Sequence, residues 1–372
     1  MDYSTVYVGI DVHKETFSLC CYTNEKETPE YPQRVEGHYS KVLNYIEAMR
    51  FHYGDDAVFV CGYEAGCLGF TLYHQLTAHN VKCYVIAPTT LSMPKGKRIK
   101  TDRRDAELIA RCLAHRDYSA VHIPTAKDEA VKDFIRMRND HKLELKKIKQ
   151  QILAFCLRRG FRYDNETRPW TQKHLKWLRE IAGSDNSFGT LDEYLSTYDY
   201  LTCKIERLDK RIEELASDEE YHEKVHNLTC FLGIKTQTAL SFVAETGDFK
   251  RFQTAKNYAA YLGLVPGEDT SGDDQTRLRI TKAGNSHLRT LLIEASQSIG
   301  RKTIGPKSRE LKARQEGCSP AVIEYADKAN ERLRRRYIRL VLNCNKKHNV
   351  AKTAIARELA CFIWGMMTEN YV

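Results

Sequence analysis

The chain has 372 residues, with 58 Lys or Arg against 49 Asp or Glu for a net charge of +9, and 42% of its residues are hydrophobic. That apolar share supports packed cores and excludes wholesale disorder, while the length allows two or three domains. No apolar run approaches the roughly 18 residues of a membrane span, and no basic-then-apolar leader opens the chain, so the expectation is a soluble cytoplasmic protein with no membrane partner. Twelve cysteines are scattered between Cys20 and Cys361 without a CxxC pair, which favours reduced thiols over disulfides or structural zinc.

Residues 1–126 read as α/β. Val6, Val8 and Ile10 alternate with Tyr7, Gly9 and Asp11, the period of a half-buried strand, and Phe17, Leu19 and Cys21 repeat it after a turn at His13–Glu15. A helix is predicted from Ser40 to Met49, a central strand over Ala57–Cys61, a helix from Leu68 to Ala78 and a strand over Val81–Ala87. A basic loop follows, then a helix from Asp105 to His115. Strands followed by alternating strands and helices predict a mixed sheet with covering helices.

Residues 127–222 read as an α-helical arm. Tyr194, Tyr198, Leu201, Ile205, Leu208, Ile212 and Leu215 step by alternating fours and threes, and Leu145, Ile148, Ile152 and Phe155 do the same upstream. This is a heptad seam, broken between Gly160 and Ser187. It predicts an antiparallel hairpin or an intermolecular coiled coil, and with the latter a homo-oligomer.

Residues 223–372 read as mainly helical. Leu228–Ala239 looks like a helix-hairpin-helix whose Gly turn could offer backbone N–H groups to phosphates. Gly263–Asn285 reads as a long polar loop, of the kind that is functional when it interrupts a packed domain. Ser319-Pro320 is a helix start, with Ser as N-cap and Pro in the first turn. The final apolar helix, including Ile355, Leu359, Phe362 and Ile363, is predicted to pack as core.

The charge is local. Residues 301–350 hold fourteen Lys or Arg and five Asp or Glu, an excess equal to that of the whole chain. Arg334, Arg335 and Arg336 lie in this stretch. A second basic knot contains Lys97, Arg98 and Lys100 just before Asp102. Such clusters suit a polyanion, although a solvated helix face reads the same way.

Four acids stand where phosphoryl chemistry would place them. Asp11 ends the first strand on the face opposite Val6, Val8 and Ile10. Glu64 follows the central strand within GYEAG, and Asp102 and Asp105 sit three apart at a helix start. Converging carboxylates repel one another, and a hard divalent cation such as Mg²⁺ relieves that repulsion while binding substrate phosphates. Taken singly, each acid could equally be a surface residue at a strand end or helix N-terminus.

The segments GIDVHKE, GYEAG and KTDRRDAELIA resemble the RuvC-like domain of an insertion-sequence transposase family, the one numbered one-hundred-and-ten. FKRFQTAKNYAAYLGLVP, TSG and ITKAGNSHLR resemble that family's second domain, and the order matches along nearly the whole chain. The resemblance implies an RNase H-like N-terminal domain over 1–126, a coiled-coil arm over 127–222 and a serine transposase domain over 223–372. It carries the family's four acids to Asp11, Glu64, Asp102 and Asp105, and its serine to Ser271, although Asp273 and Asp274 follow where small residues are usual. By spacing alone Ser271 would be a turn residue beside Gly272. Ser241 and Ser286 are read as structural, and His287 as a helix-face residue.

The resemblance implies a DNA recombinase that cuts and rejoins donor and target duplexes through a phosphoserine intermediate. It would be guided by a bridge RNA and act as a dimer or tetramer, with Mg²⁺ near the serine across a domain or subunit boundary. Arg277, Arg279, Lys282 and Arg289 would bind phosphates flanking the serine. An RNA that reads sequence by pairing also accounts for the lack of a recognisable base-reading motif. Two alternatives stand beside this reading: a metal-dependent junction-resolving nuclease using the acids alone, and a non-enzymatic nucleic-acid-binding protein with a degenerate core.

Overall fold

The computed structural model describes residues 5–66, 68–88, 102–164, 168–184, 188–271, 274–300 and 306–371, with the backbone alone over 268–271 and 274–277. These form two compact units, Met1–Ile123 and Pro124–Val372.

In the first unit five strands form one sheet in the order β3-β2-β1-β4-β5. They are β1 (Thr5–Val12), β2 (Thr16–Tyr22), β3 (Glu30–Glu36), β4 (Val58–Glu64) and β5 (Lys82–Ile86). β1 is antiparallel to β2 and β2 to β3, whereas β1, β4 and β5 run parallel. β3 is absent from the sequence-based reading because EYPQRVE is mostly polar and carries Pro32, a composition tolerated on an edge strand. One sheet face, with Val6, Val8, Ile10, Phe17, Leu19, Cys61 and Val85, packs against α1 (Tyr39–Tyr53) and α2 (Thr71–Ala78). The other face takes α3, which spans Asp102–His115 and so begins one turn before the predicted start.

Two glycines seat α3 on that face. A Cβ at Gly9 would lie 2.0 Å from the Ala106 carbonyl oxygen, and one at Gly62 would lie 2.8 Å from the Leu113 side chain. Ala106, Ala110 and Ala114 are buried, so small residues on the helix meet bare backbone on the strand. Gly9→Val is therefore expected to force α3 off the sheet and destabilise this unit by about 3 kcal/mol, the upper end for overpacking a tight interface. Denaturant melts would measure this, and an unchanged midpoint would contradict the close seating.

In the second unit α4 (Ala126–Arg158) and α6 (Thr190–Ala216) pair antiparallel. At one end Ile152 and Phe155 meet Leu191, Leu195 and Tyr198. At the other, Val131 and Ile135 join Ile212 and Ala216 in the main helical core. The predicted seam from Tyr198 to Ile212 is buried as read. At its ends Leu195 and Ala216 are buried, and Tyr194 and Leu215 pack partly buried beside them. Between them, Arg138 on α4 forms a two-pronged pair with Asp209 on α6 at 2.7 and 2.9 Å. The break after Gly160 contains a further helix, α5 (Gln172–Ser184), whose Leu175, Leu178 and Ala182 complete the cluster at the tip of the pair.

The main core gathers α7 (His222–Thr229), α8 (Thr236–Thr246), α9 (Ala255–Tyr261), α10 (Ser286–Gly300), α11 (Arg309–Gln315), α12 (Pro320–Ile338) and α13 (His348–Met367). Ser319 caps α12 with Pro320 in its first turn, as read from sequence. Leu228–Ala239 forms two helices, α7 and α8, joined by a closely packed Gly turn. A Cβ at Gly233 would lie 2.4 Å from the Ala295 carbonyl oxygen, and the Leu232 N–H donates to Asn330 Oδ1 at 2.8 Å. The glycine is there to let α10 approach, and Phe231, Leu232 and Ile234 are buried.

Gly263–Asn285 also departs from the loop reading. Within it β6 (Pro266–Ser271) and β7 (Asp274–Ile280) form an antiparallel hairpin. Its abundance of Gly, Asp and Thr conceals the period-two alternation of Thr276, Leu278 and Ile280.

Among the described residues no helix is long and apolar enough to cross a membrane, and all their cysteines are free thiols.

Candidate active site

The sheet delivers the first two acids. β1 and β4 are parallel and in step, with Gly9 paired to Gly62 and Ile10 to Tyr63. Asp11 and Glu64 are the next residues of this pair, at the C-terminal ends of adjacent strands and on the face that α3 covers. The helix delivers the other two. Gly9 lies under Ala106 and Ala110, and Tyr7 packs with Ala110 and Ala114, so α3 runs antiparallel to β1. Its first turn, bearing Asp102 and Asp105, therefore stands over the strand end that bears Asp11.

A residue absent from the predicted site joins them. His13 Nε2 lies 3.2 Å from Asp11 Oδ2 and 3.6 Å from Asp102 Oδ1, and one ligand atom from each of these three residues lies within 4.8 Å of the others. The D-x-H spacing at a strand end was the available signal, since residues two apart share a face. The Asp11 side chain is only 17% exposed, and its Oδ2 is buried without an aligned hydrogen bond among the described residues, despite the nearby ring nitrogen. Burial, opposed by the His13 charge and reinforced by Asp105 and Asp102, holds the Asp11 carboxyl above its usual value. A buried carboxylate oxygen without an aligned donor, crowded by further carboxylates and an imidazole, fits a divalent cation. Beside it runs a groove of about 510 Å³ lined by Ser18, Pro32, Gln33, Arg34, Asp102 and Arg103.

Ser271 is the last residue of β6, paired with Asp274 across the hairpin turn. Of the basic residues proposed to flank it, Arg277 lies on β7, and Arg279 and Lys282 are exposed toward the hairpin base. Arg289 is half-buried, and its Nη1 donates to the Leu262 and Ala283 carbonyls at 2.9 and 3.2 Å, so part of its guanidinium is already used in closing that base. Ser241 is buried and donates to the Gln237 carbonyl at 2.8 Å, a structural role. Lys97, Arg98 and Lys100 lie outside the described residues.

The basic helix is partly neutralised from within. On α12, Arg332 and Arg336 both pair with the nearly buried Glu358 of α13, at 2.6 and 2.8 Å, and Arg335 pairs with Glu331 one turn back. Arg334 has a buried Nε without a hydrogen bond among the described residues. Among the described residues, Lys328, Arg332, Arg335, Arg336 and Arg339 nonetheless line a groove of about 570 Å³, with Glu331 and Glu358 as the acids. That surface is cationic, the character that attracts a polyanion.

Comparison with known proteins matches two stretches of the chain, the first of which runs past the end of the first unit. Residues 8–161 match the DEDD-type transposase family of IS110 elements, described as "Transposase", and residues 225–313 match the "Transposase IS116/IS110/IS902 family". The DEDD-type match implies an RNase H-like fold for the first unit. The chain is 33% identical to the putative transposase y4qE of Sinorhizobium fredii, over 99% of this chain and 90% of that protein. It is 29% identical to the transposase for insertion sequence element IS1533 of Leptospira borgpetersenii, over 89% and 95%. It is also 24% identical to the pilin gene-inverting protein of Moraxella lacunata, over 72% and 74%. With both family matches in order and a relative of this similarity spanning nearly its whole length, the chain belongs to the IS110 family of insertion-sequence transposases.

Proposed function

We propose that this transposase is an RNA-guided serine recombinase. Ser271 supplies the nucleophile, the four acids hold Mg²⁺, and the substrates are donor and target double-stranded DNA. The observation that carries the metal half is the crowded carboxylate of Asp11, whose buried oxygen, beside Asp102 and His13, lacks an aligned donor among the described residues. Asp11, Glu64, Asp102 and Asp105 would hold the ion, which when bound offsets the charge of a scissile phosphate. In the strand-cutting step the Ser271 Oγ–P bond forms as the P–O bond to the departing strand breaks, and the hydroxyl proton leaves with the departing oxygen. The phosphoserine conserves the bond for rejoining without ATP. Exchange between two duplexes requires several such centres, which calls for a dimer or tetramer.

His13 is expected to support the ion. His13→Ala should weaken Mn²⁺ binding, followed by electron paramagnetic resonance on the purified protein, by about tenfold, the scale of losing a supporting group at a metal site. Unchanged affinity would remove His13 from the centre.

The groove on α12 is expected to carry backbone contacts. Arg335→Ala and Arg339→Ala should each lower the slope of log affinity against log salt by about one and weaken binding similarly on unrelated sequences. A sequence-selective loss would contradict that role.

The acids lie within a single unit of the chain, which favours as second reading a junction-resolving nuclease that hydrolyses without the serine. A purified assay separates the two. Protein, Mg²⁺, DNA carrying the element ends and RNA transcribed from the element's non-coding end should yield joined products only when the RNA is present. Joined products without RNA would sink the guide reading, and hydrolysed ends alone would favour the nuclease.

A further inference from the structure

The hairpin that bears Ser271 joins the helical core through a clamp at its base. Below β6 and β7 the backbone continues to pair, with Thr281 N–H donating to the Val265 carbonyl at 2.9 Å and Lys282 N–H to that of Gly263 at 3.1 Å. Two glycines allow the chains this close. A Cβ at Gly263 would lie 2.1 Å from the Ala283 carbonyl oxygen, and one at Gly284 would lie 1.9 Å from that of Tyr261. Both have positive φ, and Lys282 is itself left-handed at φ 56°, so the base has a fixed and costly shape.

Glu245, at the end of α8, holds that shape from beneath. Its side chain is 1% exposed. Arg136 of α4 grips both carboxylate oxygens at 3.0 and 2.9 Å, and Asn285 Nδ2 donates to Oε2 at 2.6 Å. Asn285 also accepts the Leu288 N–H at 3.1 Å and so starts α10 directly after the hairpin. His287 Nε2 lies 3.8 Å from Glu245 Oε1. Asn139, one turn along α4 from Arg136, accepts from Gln237 of α8 at 2.8 Å. Burial pushes the Glu245 carboxyl up, but the hydrogen bonds from Arg136 and Asn285, with the Arg136 charge, outweigh it and hold the group below its usual value. A buried carboxylate whose donors come from α4 and from the hairpin's exit joins these elements in one geometry.

We propose that Glu245 is a positioning residue for the serine hairpin: through Asn285 and Arg136 it fixes the β6–β7 base to α4, the helix that runs on into the arm, and so sets where Ser271 is presented. This rests on Ser271 as nucleophile. The test uses full-length protein in three variants. Glu245→Gln keeps the shape and removes the charge. Asn285→Asp keeps an oxygen to cap α10 but turns the contact with Glu245 from donor to repulsion. Ser271→Ala removes only the hydroxyl. Backbone hydrogen exchange over residues 264–282, melting temperature, DNA affinity and the rate of covalent adduct formation are read for each.

With melting and DNA affinity near those of the parent, the first two variants should exchange the Thr281 and Lys282 amides at least tenfold faster. They should form adduct on the order of 10²-fold more slowly, the scale of ångström misplacement of a reacting group. Parent-like exchange and adduct rate in both would overturn the proposal, as would a loss of adduct that only tracks lost melting temperature. Ser271→Ala should leave exchange unchanged. Adduct persisting in that variant would refute the nucleophile, while exchange in the other two would still decide whether Glu245 holds the hairpin.

Discussion

Ser271→Ala is expected to abolish the covalent protein–DNA adduct and strand joining, with a loss on the order of 10⁶-fold, as when a covalent nucleophile is removed from a hydrolase. The change deletes one oxygen at the end of β6 and leaves the Ser271–Asp274 backbone pairing in place. Melting temperature and DNA affinity should therefore be those of the parent. Denaturing gels of reactions on labelled element-end DNA read the adduct directly. Parental joining by the variant would exclude the serine, and loss of joining with retained cutting would turn the chain into the metal-dependent nuclease of the second reading.

Asp11→Asn should have the second-largest effect and split activity from stability. Removing one carboxylate charge from a divalent-cation site costs several kcal/mol of transition-state stabilisation, on the order of 10³-fold in rate. The same change should raise the melting temperature of the metal-free protein by a few degrees. An ionised Asp11 is desolvated by burial and faces Asp105 and Asp102, so a neutral amide of the same shape relieves both burdens at neutral pH. Scanning calorimetry in chelator, beside recombination in Mg²⁺, measures the pair. An active variant would show that the acids hold no essential ion. A metal-free variant less stable than the parent would show that the carboxylate is satisfied by protein groups alone.

Much of this architecture is carried by short-range pattern. The alternation in VYVGIDV and the spacing in KTDRRDAELIA place Asp11, Asp102 and Asp105 on their elements, because strand and helix periods are local properties. The seam of α6 is legible for the same reason. Glu64 is placed beside Asp11 by strand register, which the sequence supplies only through the likeness of its motifs to a family. Other features are set by contacts that no local pattern encodes. The glycines at 9 and 62 look like weak strand residues until α3 is laid across them. Glu245 meets Arg136 across 109 residues and Asn285 across 40, so nothing near ETGDF announces a buried network. The hairpin over 266–280 was hidden by a composition that favours turns, and His287, read as a helix-face residue, proves to be half-buried beside Glu245. In the basic helix, sequence shows the charges but not that Glu358 takes two of them.

The most direct test of the account is to identify the atom that becomes joined to DNA. Full-length protein would be reacted with element-end DNA, guide RNA and Mg²⁺, then denatured, digested with nuclease and protease, and the nucleotide-bearing peptide sequenced by mass spectrometry. The account predicts a single modified peptide with the phosphate on Ser271 and none when the metal is chelated. A modification on any other residue, or joined DNA with no peptide adduct at all, would contradict it.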